Sequence, residues 1–343
     1  MKFSFLSMTS YDGPAPSLEI WPVAPRICDP EVARQSVQRW IDLCARAEAL
    51  GFDWISVAEH HYAAYMMTPN PMVMAAALTQ VVKKATIALL GPLVPLHNPV
   101  RLAEEIAMLD ALSNGRLAVL FLRGTQNEHN TYDTPKNVTR EMTQEGIDLA
   151  VKALTSEEPF NWSGTHYNFS TVSVWPRPNQ NPGIPIYSSG NSEESVAFAA
   201  KRRLGIAFSF SPPEMVKKFV DLYKKEAAAE GWKPTPDHVI YRGLTYVAAT
   251  DELAQSEAFA FFGARAAASA HLQSSTMGGP EITPLITQPY FLGSPQTVIE
   301  RFAALRECGV GVADLCFAIG TPEQQIKTME MVAREVMPTV KSW

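Results

Sequence analysis

Strand-like and helical segments alternate along almost the whole 343-residue chain. Each apolar stretch is followed by a segment whose apolar residues recur at helical spacing. The predicted strands span residues 2–7, 53–59, 86–91, 116–123, 184–189, 206–210, 239–248 and 313–319. The predicted helices span residues 30–50, 71–83, 99–112, 137–154, 192–203, 213–230, 252–268, 295–308 and 321–336. Eight strands in this order predict an α/β fold, namely a (β/α)8 TIM barrel.

Two stretches interrupt this alternation. Residues 157–182 contain a segment typical of a β-hairpin, followed by a stretch rich in Pro and Asn. Residues 270–292 lack clear periodicity, and their Gly278-Gly279-Pro280 sequence favours a mobile lid. We therefore predict one barrel domain over residues 1–343, with insertions after the fourth unit and after strand seven.

The charge balance and the absence of long apolar runs limit the partners of this chain. Acidic residues outnumber basic ones by 35 to 29, and the formal net charge is −6. No Lys/Arg run interleaved with aromatic residues occurs, so nucleic acid is not an expected partner. The apolar run at the first residues is too short for the core of a signal sequence, and no apolar run in the chain reaches about 18 residues. These features predict a cytoplasmic protein that does not bind membranes, and the four scattered cysteines predict reduced core thiols.

Active sites of TIM barrels lie at the carboxyl ends of the strands, where this sequence places several polar groups. Glu59-His60-His61 closes the second predicted strand. An imidazole titrates near neutrality, so one of this pair is suited to move protons or to hydrogen-bond a cofactor. We predict catalytic roles for Glu59, His60 and His61. Two alternatives are one structural and one solvent-facing histidine, or a metal site that also uses His97.

Two segments favour a cofactor that carries a phosphate. Arg123 follows the fourth predicted strand, and a guanidinium at a barrel mouth is suited to bind phosphate. After the fifth strand, Ser189-Gly190-Asn191-Ser192-Glu193-Glu194-Ser195 begins a helix whose free backbone N–H groups favour an anion. A plain serine cap with acidic residues in the first turn explains the same segment. Taken together, we predict that Arg123, Gly190, Asn191, Ser192 and Ser195 bind the cofactor.

Two further strand ends are candidates for contact with a flat ring. Leu90-Gly91-Pro92 ends the third strand, where glycine permits close approach of a ring, although a turn explains it almost as well. Phe210 ends the sixth strand and could line a ring pocket, although such an aromatic residue is often core. Neither GxGxxG nor GxxxxGK[ST] occurs, which argues against a Rossmann or P-loop nucleotide site.

Seven segments together resemble the bacterial luciferase-like flavin-dependent monooxygenases. Each is weak alone, but their order and spacing extend over nearly the whole chain. They are Ala58-Glu59-His60-His61-Tyr62, Asn70-Pro71, His97-Asn98-Pro99-Val100-Arg101, Leu109-Asp110-Ala111-Leu112-Ser113-Asn114-Gly115-Arg116, Leu122-Arg123-Gly124, Gly293-Ser294-Pro295-Gln296 and Glu335-Val336-Met337-Pro338.

The resemblance implies a TIM barrel that binds reduced FMN from a separate flavin reductase. With O2 the flavin would form a C4a-hydroperoxyflavin that inserts one oxygen atom into a small organic substrate. It further implies a homodimer built on the helices of the second and third units. Residues in the loops at the barrel mouth suggest an apolar or aromatic substrate, namely Tyr62, Tyr65, Met66, Met67, Trp175 and Phe291.

The resemblance also assigns roles to individual residues. His60 matches the catalytic histidine of the luciferase branch, and Arg123 matches the arginine that holds the FMN phosphate. Ser192 and Ser195 match phosphate-contacting positions. The remaining matches are Asn191, which replaces a glutamate, Leu90-Gly91, which falls at a non-prolyl cis peptide against the flavin, and Phe210, which falls at an aromatic residue beside the ring.

Two departures from the luciferases argue against light emission. Leu122 stands where the luciferases have a reactive cysteine, and residues 270–292 do not match the luciferase mobile loop. Two other functions remain open. One is a deazaflavin-dependent oxidoreductase of the same fold, and the other is a non-catalytic flavin-binding protein.

Overall fold

Eight parallel strands close into a barrel in the computed structural model, which describes residues 1–14, 21–269 and 290–343. The barrel order is β1-β2-β3-β4-β7-β8-β9-β11, and β11 pairs with β1 to close the ring. These strands are β1 (Lys2–Ser7), β2 (Trp54–Val57), β3 (Thr86–Leu93), β4 (Leu117–Leu122), β7 (Ile186–Ser189), β8 (Gly205–Ser209), β9 (Val239–Val247) and β11 (Val312–Phe317). The predicted TIM barrel is confirmed.

Helices surround the barrel at nearly the predicted positions. They are α1 (Pro30–Ala49), α2 (Pro71–Val81), α3 (Pro99–Leu112), α4 (Gln126–Thr131), α5 (Thr139–Thr155), α6 (Glu193–Lys201), α7 (Pro213–Ala229), α8 (Asp251–Ser269), α9 (Pro295–Glu307), α10 (Pro322–Met331) and α11 (Met337–Lys341). A π-helical turn, Val332–Val336, joins the last two, so the predicted helix 321–336 is helical throughout and continues to Lys341. None of the helices in the described ranges is long and apolar enough to cross a membrane.

Five of these helices begin with the same type of N-terminal cap. A short polar side chain accepts hydrogen bonds from free backbone N–H groups of the first turn, and proline follows at the first helical position. These caps are Asp29, Asn70, Asn98, Ser294 and Thr321. The sequence pattern therefore fixes where these helices begin.

The inside of the barrel is filled at its amino-terminal end by buried apolar side chains, which we call the barrel plug. The barrel plug consists of Trp54, Ala88, Leu90, Ala118, Leu120, Tyr187, Ala207, Ile240 and Val312. A second, larger apolar core lies between the strands and the helices. Because the plug fills the amino-terminal end, open space in the barrel lies toward the carboxyl ends of the strands.

The insertion after the fourth unit is confirmed as a hairpin of β5 (Phe160–Ser163) and β6 (Asn168–Val172). The Pro- and Asn-rich stretch that follows is held by buried Asp110 of α3, which accepts hydrogen bonds from the backbone N–H groups of Asn179 and Gln180.

The sequence analysis missed two short elements, α4 and a strand, β10 (Phe291–Gly293), which pairs with β9. Strand β2 ends at Val57, so Glu59-His60-His61 follows the strand rather than closing it. Most of the predicted lid lies outside the described residues, since residues 270–289 are not described. Its last part forms β10, where Phe291 stacks on Phe302 in the core.

Candidate active site

A cavity of about 610 Å³ lies at the carboxyl end of the barrel, within the described part of the chain. Nearly all the predicted site residues line it, although they come from five separate loops or strand ends. These residues are Glu59, His60, Leu90, Gly91, Arg123, Asn191, Ser192, Ser195 and Phe210. His61 and Gly190 do not line it. The barrel topology therefore brings together groups that are far apart in sequence.

His60 is held at one ring nitrogen by a buried carboxylate. Its Nδ1 lies 3.0 Å from Glu128 Oε1 and 3.3 Å from the Tyr65 hydroxyl. Burial alone would raise the pKa of Glu128, but hydrogen bonds from His60 and Thr125 lower this pKa to about 2. An ionised acceptor at Nδ1 favours the tautomer with its proton on that nitrogen. The other nitrogen, Nε2, then carries no proton, and no described residue hydrogen-bonds it, so it can accept a proton on a side chain that lines the cavity.

Glu59 binds two other imidazoles behind the cavity wall. Its buried carboxylate lies 3.0 Å from His61 Nε2 and 2.9 Å from His97 Nε2, and it accepts a hydrogen bond from Leu93 N. Burial would raise the pKa of Glu59, yet these hydrogen bonds lower it. This network joins the loop after β2 to the end of β3. Among the described residues, no group of His, Cys, Asp and Glu has an arrangement that could hold a metal ion.

His61 is turned away from the cavity that His60 faces. It is buried and contacts Tyr132 edge-on, beside a separate polar pocket of about 350 Å³. Its geometry supports a structural role in the Glu59 network rather than contact with a ligand in the barrel. Gly190 is also behind the wall, where a Cβ atom would lie 3.0 Å from the Phe208 ring. Its small size serves packing.

The rim of the cavity near α6 carries hydroxyl groups and two guanidinium groups. Ser192 caps α6, and its Oγ accepts a hydrogen bond from Ser195 N at 3.1 Å. Arg123 after β4 and Arg140 of α5 line the same cavity. The helix-cap interpretation of the serines is therefore correct locally, and the cationic groups beside them add an anion-binding character.

Both glutamates at the start of α6 are paired with groups on neighbouring helices. Glu194 forms an ion pair with Arg140 and accepts a hydrogen bond from Gln144 Nε2 at 3.2 Å. Glu193 lies 3.2 Å from Lys218 Nζ. These exposed pairs reduce the repulsion that the two carboxylates would exert on an anion at the rim.

The Ser188 hydroxyl in the cavity wall has no hydrogen-bond partner among the described residues, and its Oγ is buried. Ser188 also lines the cavity. Because an unpaired buried hydroxyl costs free energy, a polar atom of a bound ligand would satisfy it. This feature fits a ligand with phosphate or hydroxyl oxygens.

Part of the cavity wall is apolar, and we call this part the apolar slot. Its wall includes the Leu90–Gly91 peptide, which is cis, as the family resemblance implies. A Cβ atom at position 91 would lie 1.7 Å from the carbonyl oxygen of Leu120, so only glycine fits there. Met8, Met66 and Phe210 complete the slot. Of the residues suggested for the substrate pocket, Trp175 is exposed, and Met66 lines the cavity.

Several lining residues escaped the sequence analysis, among them Arg140, Ser188, Glu128 and Arg242. Glu128 lies in a polar segment that gives no sign of its burial. Arg242 is the exception in the apolar run of β9, and a charge within a buried strand was the signal that could have found it.

The family of the chain follows from a comparison with known proteins. The model of the luciferase-like monooxygenase family matches residues 18–311. The chain belongs to this family. An alkanal monooxygenase alpha chain from the Kryptophanaron alfredi symbiont is 28% identical over 200 residues, 58% of this chain and 56% of that protein. The chain thus spans little more than half of this relative.

A longer match joins this chain to a second relative. The oxygenase component of flavin-dependent trigonelline monooxygenase from Acinetobacter baylyi is 25% identical over 338 residues, covering 91% of this chain and 92% of that protein.

Solved structures share the fold of this chain. Monooxygenase RslO1 from Streptomyces bottropensis has a TM-score of 0.82 at 24% identity and 99% coverage of both chains. The oxygenating constituent of 3,6-diketocamphane monooxygenase from Pseudomonas putida, in complex with FMN, has a TM-score of 0.74 at 19% identity and 98% coverage of both chains. The coenzyme F420-dependent tetrahydromethanopterin reductase from Methanopyrus kandleri has a TM-score of 0.70 at 17% identity and 99% coverage of both chains. These likenesses show the fold alone.

Proposed function

We propose that this protein is the oxygenase component of a two-component monooxygenase. It takes reduced FMN from a separate flavin reductase and uses O2 to oxygenate a small apolar or aromatic substrate. The observation that carries the proposal is a single cavity that joins an anion-binding rim, an apolar slot and a histidine held by a buried carboxylate. The relatives named as flavin-dependent oxygenases support it.

The residues present fit FMN. Arg123, Arg140 and the hydroxyls of Ser188, Ser192 and Ser195 would hold the phosphate end, with Asn191 beside them. The slot beside Leu90-Gly91 and Phe210 would hold the ring. When bound, the reduced flavin would supply the reaction with O2, which no side chain supplies.

The chain's own contribution is to exclude water and to move one proton. Apolar side chains line the slot, so the reacting groups would lie in a largely dry environment. His60 Nε2 would take up or return the proton, because Glu128 holds the other ring nitrogen. Because the ring is fixed in one tautomer, His60 can accept the proton without a change in the orientation of its side chain.

Rapid mixing tests the oxygenase proposal. Protein with photoreduced FMN is mixed with oxygenated buffer, and absorbance is followed in the near ultraviolet. We expect a transient spectrum that differs from those of reduced and oxidised FMN and that outlasts the reoxidation of free FMN. Reoxidation at the free rate, together with tighter binding of a deazaflavin in a parallel titration, would instead favour a deazaflavin oxidoreductase. FMN binding without substrate-dependent O2 use would indicate a non-catalytic binding protein.

Replacement of His60 tests the role of the proton acceptor. His60→Ala should leave FMN affinity within about twofold and lower product formation by about 100-fold, the usual size of a general-base contribution. His166→Ala is the matched control, since His166 lies in the turn between β5 and β6. Equal turnover by both variants would refute the role of His60.

We also propose a homodimer formed through α2 and α3. Val73 of α2 and Met108 and Leu112 of α3 are each more than half exposed. Large exposed apolar side chains on adjacent helices are typical of a surface that is covered in an assembly. A second copy of this chain would cover them by isologous contact.

A further inference from the structure

A charged pair lies inside the barrel, where apolar side chains would otherwise be expected. Arg242 of β9 donates from Nε to Asp314 Oδ2 of the neighbouring β11 at 2.6 Å. Apolar residues of similar volume often give equal or greater stability than a buried ion pair. Stability alone therefore does not account for this pair.

The Arg242 side chain crosses the barrel. Its Nη2 donates to the carbonyl oxygen of Leu90 at 3.0 Å. Leu90 belongs to β3, which stands opposite β9 in the ring of eight strands. The barrel plug lies on one side of this bridge, apart from Leu90, which also lines the cavity on the other side. The guanidinium therefore forms the floor of the cavity.

The pair presents its positive end to the cavity. Asp314 is fully buried, and the hydroxyls of Ser4 and Ser56 donate to its Oδ1 at 2.7 Å each. Asp314 does not line the cavity, whereas Arg242 does. The carboxylate thus lies behind the guanidinium, and a ligand on the floor would meet the cation first.

We propose that Arg242 makes the cavity bind reduced flavin more tightly than oxidised flavin. The inference rests on the proposed function. Two-electron reduction of a flavin with uptake of one proton leaves a negative charge on its ring, and the oxidised ring is neutral. A cation in a low-dielectric floor attracts the charged ring and hardly affects the neutral one. This preference would let the protein take FMN from the reductase and release it after reoxidation.

The test compares dissociation constants for oxidised and reduced FMN, measured anaerobically by fluorescence titration. The quantity of interest is the ratio of the oxidised to the reduced constant. Relative to wild type, Arg242→Gln should lower this ratio about tenfold, because it removes the positive charge that attracts the reduced ring. Asp314→Asn should raise the ratio about tenfold, because it removes the negative charge that repels the reduced ring. Arg34→Gln, on the exposed face of α1, is the control and should leave the ratio unchanged.

A double variant covers the case in which single variants do not fold, since an unpaired buried charge is strongly destabilising. Arg242→Gln with Asp314→Asn leaves no charge on the floor, and its ratio should fall between those of wild type and Arg242→Gln. If the floor acted only through packing, the double variant would bind oxidised and reduced FMN more weakly by the same factor, and the ratio would not change. An unchanged ratio in the double variant would therefore overturn the inference. Failure of the wild-type protein to bind either state would instead overturn the proposed function.

Discussion

Replacing Glu128 by Gln removes a buried negative charge while preserving the size of the side chain. The pKa of this carboxyl is lowered from 4.5 to about 2 in the folded protein, against the effect of burial, by His60 and Thr125. A shift of this size corresponds to about 3 kcal/mol of stability, since one pKa unit is about 1.4 kcal/mol. The Gln amide retains part of the hydrogen bonding, so we expect Glu128→Gln to lower the free energy of unfolding by about 2 to 3 kcal/mol at pH 7.

The pH dependence identifies the charge as the cause. Because the folded pKa lies below the unfolded one, the contribution of Glu128 is complete well above pH 4.5 and is lost as the pH falls toward about 2. Wild type loses this contribution on acidification, whereas the Gln variant has none to lose. The stability gap between them should therefore narrow by about 1 kcal/mol at pH 4 and by about 2 kcal/mol at pH 3.

Urea unfolding followed by tryptophan fluorescence measures the difference in free energy of unfolding between wild type and Glu128→Gln at pH 7, 4 and 3. Glu141→Gln is the matched control, because Glu141 is an exposed carboxylate on α5. Its effect should stay within about 0.5 kcal/mol at each pH. A gap for Glu128→Gln that is the same at pH 7 and pH 3 would refute the electrostatic reasoning and assign the loss to packing.

Three other changes have definite expected results. Met108→Glu should convert the proposed dimer to a monomer in sedimentation velocity without loss of helix content, and an unchanged sedimentation coefficient would place the interface elsewhere. Gly91→Ala should lower the free energy of unfolding by about 3 kcal/mol or prevent folding, since the new Cβ would overlap the Leu120 carbonyl oxygen; a wild-type urea midpoint would contradict this geometry. Arg123→Gln should weaken FMN binding about tenfold in a fluorescence titration, and equal affinity would remove Arg123 from the phosphate site.

Much of the fold could be predicted because the signals are local. The cap at Asn98 followed by Pro99 fixes the start of α3 within the sequence itself, and the alternation of strand and helix fixes the barrel. The residues at the mouth could likewise be predicted once the barrel was inferred, since each follows a strand.

The rest depends on contacts between distant segments. Apart from the family resemblance, which singles out His60, no local pattern shows which of two adjacent imidazoles faces inward. Glu128 is 68 residues away from the His60 that it holds. Asp314 is 72 residues from Arg242, so their pairing follows from strand order rather than from any local pattern. The short strand β10 pairs with β9, and its three residues give no strand pattern of their own.

The barrel plug has a kinetic consequence. Because buried side chains such as Trp54 and Tyr187 fill the amino-terminal end, ligands of the cavity share the entrance at the carboxyl end of the strands. A molecule seated deeper must enter before one seated nearer the mouth, and it must leave afterwards. The plug therefore predicts a compulsory order of association for two ligands, in which excess of the outer ligand traps the inner one and slows its escape.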